Sequence, residues 1–179
     1  MKKTTSQHHD PSREPVAAVD SNNRLIGSVP RWQMRQERLI HRATYIMVFN
    51  SRGHILVQKR TQTKDIYPGL LEMAAGGVVA AGETYEESAA RELKEETGIT
   101  GVELVSHLDF YFEDSSNRVW GRLFSCKWDG RLTFQEEEVE WGKFFTLPDL
   151  AMQMSKGIFT PDSVYLYKLC SARGLFFQA

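Results

Sequence analysis

The stretch from Gly76 to Ile99, GGVVAAGETYEESAARELKEETGI, constrains this chain more than any other, because a glycine-rich turn runs straight into a helix crowded with carboxylates. Between positions 83 and 96, six glutamates (83, 86, 87, 92, 95 and 96) stand against Arg91 and Lys94, a local net charge of −4. At about 100° per residue, Glu92, Glu95 and Glu96 share one helix face. Ala90, Leu93 and Thr97 form a flank expected to point away from it. Like charges at i,i+3 and i,i+4 destabilise a helix, so something must offset them. Hard divalent cations such as Mg²⁺ favour oxygen ligands and keep water positions open for substrate phosphates. The bland alternative for such a helix taken alone is a solvated acidic face.

The spacing around the helix favours the metal. Gly77, five residues, Glu83, seven residues, then Arg91-Glu92-Leu93-x-Glu95-Glu96-x-Gly98-Ile99 resembles the signature of the Nudix hydrolases at every defined position. The resemblance covers about residues 40–172 and implies an α/β/α sandwich with a mixed β-sheet. It also implies Mg²⁺- or Mn²⁺-dependent cleavage of a phosphoanhydride, a diphosphate linked to another moiety such as a nucleoside. Carried onto this sequence, it makes Glu92, Glu95 and Glu96 metal ligands, with a backbone carbonyl at Gly76 or Gly77 as a further one. Arg91 becomes the partner that orients the carboxylates, and Glu83 a mainly structural member. Gly77 and Gly82 read as turn residues needing positive φ, and Gly98 as the helix stop.

A general base need not lie on the helix. The run Gln135-Glu136-Glu137-Glu138-Val139-Glu140 sits where many relatives carry a loop carboxylate facing the metals, and Glu138 is the chosen candidate. The second loop acid of those relatives falls here on Trp141, which puts that ligand in doubt. Arg60 and Lys64 flank the loop before Pro68-Gly69 and suit phosphate binding. Their spacing resembles the isopentenyl-diphosphate isomerase branch, which also offers His41 as a ligand; a structural histidine is the plainer reading. The isomerase needs a reactive Cys and a His after the Pro-Gly turn, and Leu70-Leu71-Glu72-Met73 supplies neither. RATYI, LFSC and FTPDS, together with the Arg60/Lys64 loop, most resemble YfcD-like Nudix proteins. Hydrolase therefore ranks first, a catalytically silent ligand-binding module second, isomerase third. Tyr67, Tyr111, Phe112 and Trp120 are candidates to stack on a base, with core packing as their bland alternative.

At 179 residues and 41% hydrophobic, the chain can build one domain with a real core. A formal net charge of −1 excludes a global pull toward nucleic acid or an anionic membrane. Two distant cysteines, Cys126 and Cys170, read as thiols of a reducing compartment, and no apolar run suggests a signal peptide or a membrane span. A soluble, cytoplasmic protein is expected.

Residues 1–14 are polar and expected to be disordered, with His8-His9 inert. Residues 15–38 read as an N-terminal extension, a hairpin around Ser21–Asn23 followed by a helix over RWQMRQERL; its hairpin pattern and Trp32 point to a homodimer contact. Residues 39–179 form the catalytic domain. Strands are predicted over ATYIMVFN, HILVQKR, VELVSHLDFYFE, RVWGRLFSCKW and GKFFTL, with a hairpin turn at Asp129-Gly130. Helices are expected from Thr84 to Gly98, from Thr146 to Met154 and from Pro161 to Cys170. That order is an α+β domain.

Overall fold

The computed structural model describes residues 10–177. His8-His9 and most of the tail expected to be disordered lie outside the described residues. Pro11–Arg13 form a single 3-10 turn whose N-cap, Asp10, accepts a hydrogen bond from Ser12 N.

Eight strands and four helices follow: β1 (Pro15–Val19), β2 (Leu25–Pro30), α1 (Arg31–Gln36), β3 (His41–Phe49), β4 (Ile55–Arg60), β5 (Leu71–Glu72), α2 (Tyr85–Thr97), β6 (Val105–Glu113), β7 (Arg118–Lys127), β8 (Val139–Phe145), α3 (Leu147–Met154) and α4 (Pro161–Arg173). β3 runs parallel to β7 along its whole length, from His41–Val119 to Phe49–Lys127, and antiparallel β6 continues the sheet beyond β7. β4 meets β3 at Phe49–Ile55, then diverges to pair antiparallel with β8. The sheet is therefore mixed, as expected.

Alternation along β3 builds the sandwich, because successive side chains of a strand point to opposite faces. Ala43, Met47 and Phe49 enter a core with Leu150 and Met154 of α3 and Leu166 and Cys170 of α4. Ile46 and Val48 enter the opposite core, with Tyr85, Ala89 and Leu93 of α2. Both cysteines are buried free thiols, and burial pushes Cys126 up to about 11 and Cys170 up to about 12. Among the described residues no helix is long and apolar enough to cross a membrane.

The N-terminal hairpin joins the sheet: β1 pairs with β2, meets β3 at Ala18–His41, and bridges residue 80 through Val16. α1 ends at Gln36, earlier than RWQMRQERL suggests, because Arg38 turns into the left-handed region at φ 49°. The hairpin expected at Asp129-Gly130 does not form. Residues 131–135 instead cross the end of α2, where Thr133 N donates to Thr97 O and Gln135 N to Glu96 O. Leu132 and Phe134 pack on the α2-side core, and burying them there outweighs extending β7. The next strand, β8, begins at Val139 and pairs with β4, so Glu140 lies in a strand.

Candidate active site

α2 is set by local chemistry at both ends. Thr84 and Glu87 form a reciprocal capping box, and Gly98 closes the helix in the left-handed conformation at φ 74°. Its faces differ from the sequence expectation. Ala90 is exposed, while Glu92 and Glu96 are buried, at 9% and 1% exposure. The core flank is Tyr85, Ser88, Ala89, Leu93 and Thr97, and two of the three signature carboxylates turn inward beside it, toward the glycine turn. Only Glu95 stays largely open, with its side chain 48% exposed.

Arg91 is the hub that makes this tolerable. Its Nε and Nη2 donate to the two oxygens of Glu83 at 2.8 and 2.9 Å, and its Nη1 donates to Glu92 at 2.8 Å and Glu95 at 3.0 Å. One planar fork thus fixes three carboxylates, a geometry that lysine cannot reproduce. The hydrogen bonds from Arg91 hold Glu83 below the usual carboxylate range, and Ala80 N also donates to Glu83 at 3.1 Å, tying the turn to the helix. Burial raises Glu92 to about 6 against the opposing pull of Arg91.

Among the described residues Glu96 makes no ion pair, unlike Glu83, Glu92 and Glu95. Its Oε2 accepts from Gln58 Nε2 at 3.2 Å and from Gly76 N at 3.0 Å, and its Oε1 is buried without a partner among the described residues. Burial, reinforced by the nearby Glu72 charge, pushes its carboxyl well up.

The two glycines of the turn act differently. Gly76 adopts φ +146°, and a Cβ there would lie 2.0 Å from the Thr44 carbonyl oxygen. Gly77 has no positive φ, contrary to the turn reading; a Cβ on it would lie 2.5 Å from Glu92 Oε1. Gly77 is therefore open space for a carboxylate. Its carbonyl accepts from Thr44 N at 2.9 Å. Gly82, at φ +89° with nothing near its Cβ direction, does serve the turn.

A cleft of about 540 Å³ opens over this assembly, lined by Gly76, Gly77, Glu92, Glu95, Lys64 and Glu138 among others. Glu138 thus faces the acidic helix, with Lys64 Nζ hydrogen-bonded to it. Glu136 and Glu137 are exposed, and Glu140 is turned to Lys59 at 2.9 Å. Arg60 lies deeper, 8% exposed, donating to Glu72 Oε2 at 2.8 Å and Ile66 O at 3.0 Å. His41 is 1% exposed, and burial pushes it down to about 3; its Nδ1 lies 3.2 Å from Leu39 O, so it is a neutral structural group. Of the aromatic candidates, Phe112 is buried in the α3/α4-side core, and Tyr111 packs on Trp120 at 5.5 Å between ring centroids.

Sequence reasoning missed Gln58 and Glu72. Gln58 is the polar residue, itself buried, that follows the apolar run Ile55–Val57 of β4, and that break in the pattern was the available signal. Glu72 carried none.

The oxygen-only donor set, the unpartnered Glu96 Oε1 and the Cβ-free space at Gly77 fit a hard divalent cation. Among the described residues no three acidic or histidine groups converge as a ligand cluster, because Arg91 holds Glu92 and Glu95 while Glu96 turns to Gly76 N.

A mixed sheet between helices thus carries an arginine-centred nest of glutamates packed on a glycine turn. The chain belongs to the Nudix family: the NUDIX domain model matches residues 39–167. Within it the chain falls in the YfcD-like branch, being 48% identical over 153 residues to the Nudix hydrolase YfcD of Escherichia coli K12, with 86% of this chain and 84% of that protein covered. It is 46% identical over 160 residues to a Nudix hydrolase of Yersinia pestis, covering 89% and 87% respectively. A Deinococcus radiodurans crystal structure superposes with a TM-score of 0.77 at 23% identity, covering 88% of this chain and 99% of that one, which shows the shared fold.

Proposed function

We propose that the protein is a divalent-metal-dependent hydrolase of a nucleoside diphosphate derivative, cutting its phosphoanhydride bond at the α2 cleft. The observation that carries this reading is Glu96 Oε1, buried without a partner among the described residues, on the helix whose Glu92 and Glu95 line the cleft together with Glu138. Glu92, Glu95 and Glu96 would hold Mg²⁺ or Mn²⁺, with a carbonyl of the Gly76-Gly77 turn beside them. When bound, the metal neutralises charge on the phosphoryl oxygens and acidifies a water.

The chain's own groups do the rest. Arg91 keeps Glu92 and Glu95 in reach and limits their rotamers. Lys64, which bonds Glu138, exchanges that partner for a substrate phosphate, and the freed Glu138 takes the proton of the attacking water. Arg60 adds positive charge from beneath, where Glu72 fixes its guanidinium. The product of that water and the anhydride is a pair of phosphate ends, with no covalent intermediate.

A phosphate-release screen over nucleoside diphosphate derivatives and prenyl diphosphates, with Mg²⁺ and with chelator, tests the proposal. Turnover that survives the chelator overturns it, and tight binding without turnover replaces it with a ligand-binding module. A cytoplasmic setting suits the two free thiols. Homodimerisation through β2, whose Leu25 and Ile26 are 62% and 67% exposed, belongs to the same proposal; a monomeric mass by light scattering refutes it.

A further inference from the structure

α1 does more than extend the sheet hairpin. Its Met34 is 1% exposed, in a small core with Val16 and Val78. The neighbouring face points elsewhere. Arg31 and Arg35, one turn apart and only 22% and 16% exposed at their side chains, both direct Nε at the same oxygen, Asp65 Oδ2, at 3.3 and 3.0 Å. Two guanidiniums at i,i+4 repel, and one carboxylate oxygen is a thin return for holding them together. Arg35 Nη1 finds Asn117 Oδ1 at 3.2 Å. Among the described residues, no hydrogen bond is made by the Nη atoms of Arg31.

Arg31 stands at the junction of three contiguous spaces. It lines the cleft over α2, the deeper pocket that holds Arg60 and Glu72, and a groove of about 490 Å³ on the outer side. That groove has Trp32 and Pro11 in its walls, and it shares Lys64 and Glu138 with the cleft. Trp32 is 50% exposed and, among the described residues, belongs to none of the apolar clusters, so about half of its indole is left open to the groove. Shared walls at Lys64, Glu138 and Arg31 thus join the cleft over the glutamate nest to a groove with a half-exposed aromatic face.

We propose that α1 supplies the half of the substrate site that sets specificity: Arg31 binds the phosphate distal to the nucleophile, and Trp32 stacks the base of a nucleoside diphosphate. The inference rests on the phosphoanhydrolase reading above and deepens it. Guanidinium donors suit phosphate oxygens, and an indole face accepts any base, because every base has a π-face. The predicted ligand has an anionic diphosphate and an aromatic group on opposite sides of Arg31. A prenyl diphosphate offers no ring to Trp32.

Calorimetric titration with ADP and with inorganic pyrophosphate, both in EDTA, tests this separately from turnover. Arg31→Gln should weaken both ligands at least tenfold, and Arg31→Lys should recover only part of the pyrophosphate affinity. Trp32→Ala should weaken ADP at least fivefold while pyrophosphate stays within twofold. With Mg²⁺, Arg31→Gln and Trp32→Ala should raise the KM of the best nucleotide found and leave kcat nearly unchanged. Unchanged ADP affinity in both variants, equal loss of both ligands in Trp32→Ala, or no ADP binding by the wild type overturns the inference. ADP binding that shows these losses, in a protein that hydrolyses no anhydride, refutes the hydrolase reading and keeps the subsite. Should Arg31→Gln lower Tm substantially, Arg31→Lys and Trp32→Ala decide alone.

Discussion

Adding one methyl group at Gly77 separates the site from the fold. The Cβ of Gly77→Ala would lie 2.5 Å from Glu92 Oε1 and 2.6 Å from its carboxylate carbon, roughly 1 Å inside ordinary contact. The backbone of Gly77 need not change, since its φ is not positive. The carboxylate must yield instead. Pushing Glu92 off its rotamer costs about 0.5–1.5 kcal/mol, and losing the bond from Arg91 Nη1, at 2.8 Å, costs about 1.5–3 kcal/mol. A misplaced ligand worth about 2–4 kcal/mol corresponds to a loss of roughly 30- to 1,000-fold in metal affinity and in kcat/KM. The control is Gly76→Ala, whose Cβ would lie 2.0 Å from a backbone oxygen at φ +146°, with no flexible group to move. Titration with Mn²⁺ followed by paramagnetic resonance, kcat/KM on the best substrate, and Tm by calorimetry complete the assay. Gly77→Ala should lose metal and activity while Tm falls by several degrees, at about 2–4 °C per kcal/mol, whereas Gly76→Ala should lose more Tm, because its clash is with a backbone oxygen that no side-chain rotation relieves. Wild-type metal affinity in Gly77→Ala, or an equal fall of Tm in the two variants, refutes the reasoning.

Glu96→Gln should lower kcat by orders of magnitude and raise the Tm of the metal-free protein, because a neutral amide avoids the cost of burying a carboxyl whose ionised form burial disfavours; a lower Tm would contradict that account. Glu95→Gln should cost a similar share of kcat with little change in Tm, since the side chain is 48% exposed; wild-type rates in both variants would remove these carboxylates from the catalytic machinery. Glu92 has a raised pKa in the folded state, about 6 against a usual 4.5. Its protonated form is favoured by folding, so its contribution is full below pH 4.5 and lost as pH rises through 6. Tm of the metal-free protein should fall across that window, less so in Glu92→Gln, and a slope unchanged by the substitution refutes the assignment. Gln58→Leu, which removes the 3.2 Å bond to Glu96, should lower kcat about tenfold or more with KM held; an unchanged pH profile and rate would make Gln58 a packing residue only.

Much of the site is legible along the chain because its framework is local. The capping box of Thr84 and Glu87, the left-handed Gly98 and the Arg91 bridges to Glu83, Glu92 and Glu95 span 16 residues, from 83 to 98, so residue types and spacing suffice to specify them. The Asp129-Gly130 hairpin fails for the converse reason. Turn propensity favours a return strand, but the apolar side chains beyond it, Leu132 and Phe134, pack half-buried against the α2-side core instead. Ala90 and Glu92 exchange their expected environments because helical periodicity gives the angle between residues and leaves open which face meets the sheet.

The spacing of Gly77, Glu83, Arg91, Glu92, Glu95 and Glu96 was enough to establish the family, the bond class and the oxygen-rich chemistry of the site, because these groups lie within two turns of helix and one loop. Folding in three dimensions settled the rest. It placed Gln58 and Gly76 on Glu96, 38 and 20 residues away, gave Gly77 its role as space for a carboxylate, and set Lys64 against Glu138 across 74 residues. It also carried Arg31 of an apparent appendage to the cleft, with Trp32 in the adjoining groove. Contacts of that separation depend on how β1, β3, β4 and α2 pack together, and no local pattern of residues encodes a packing between distant segments.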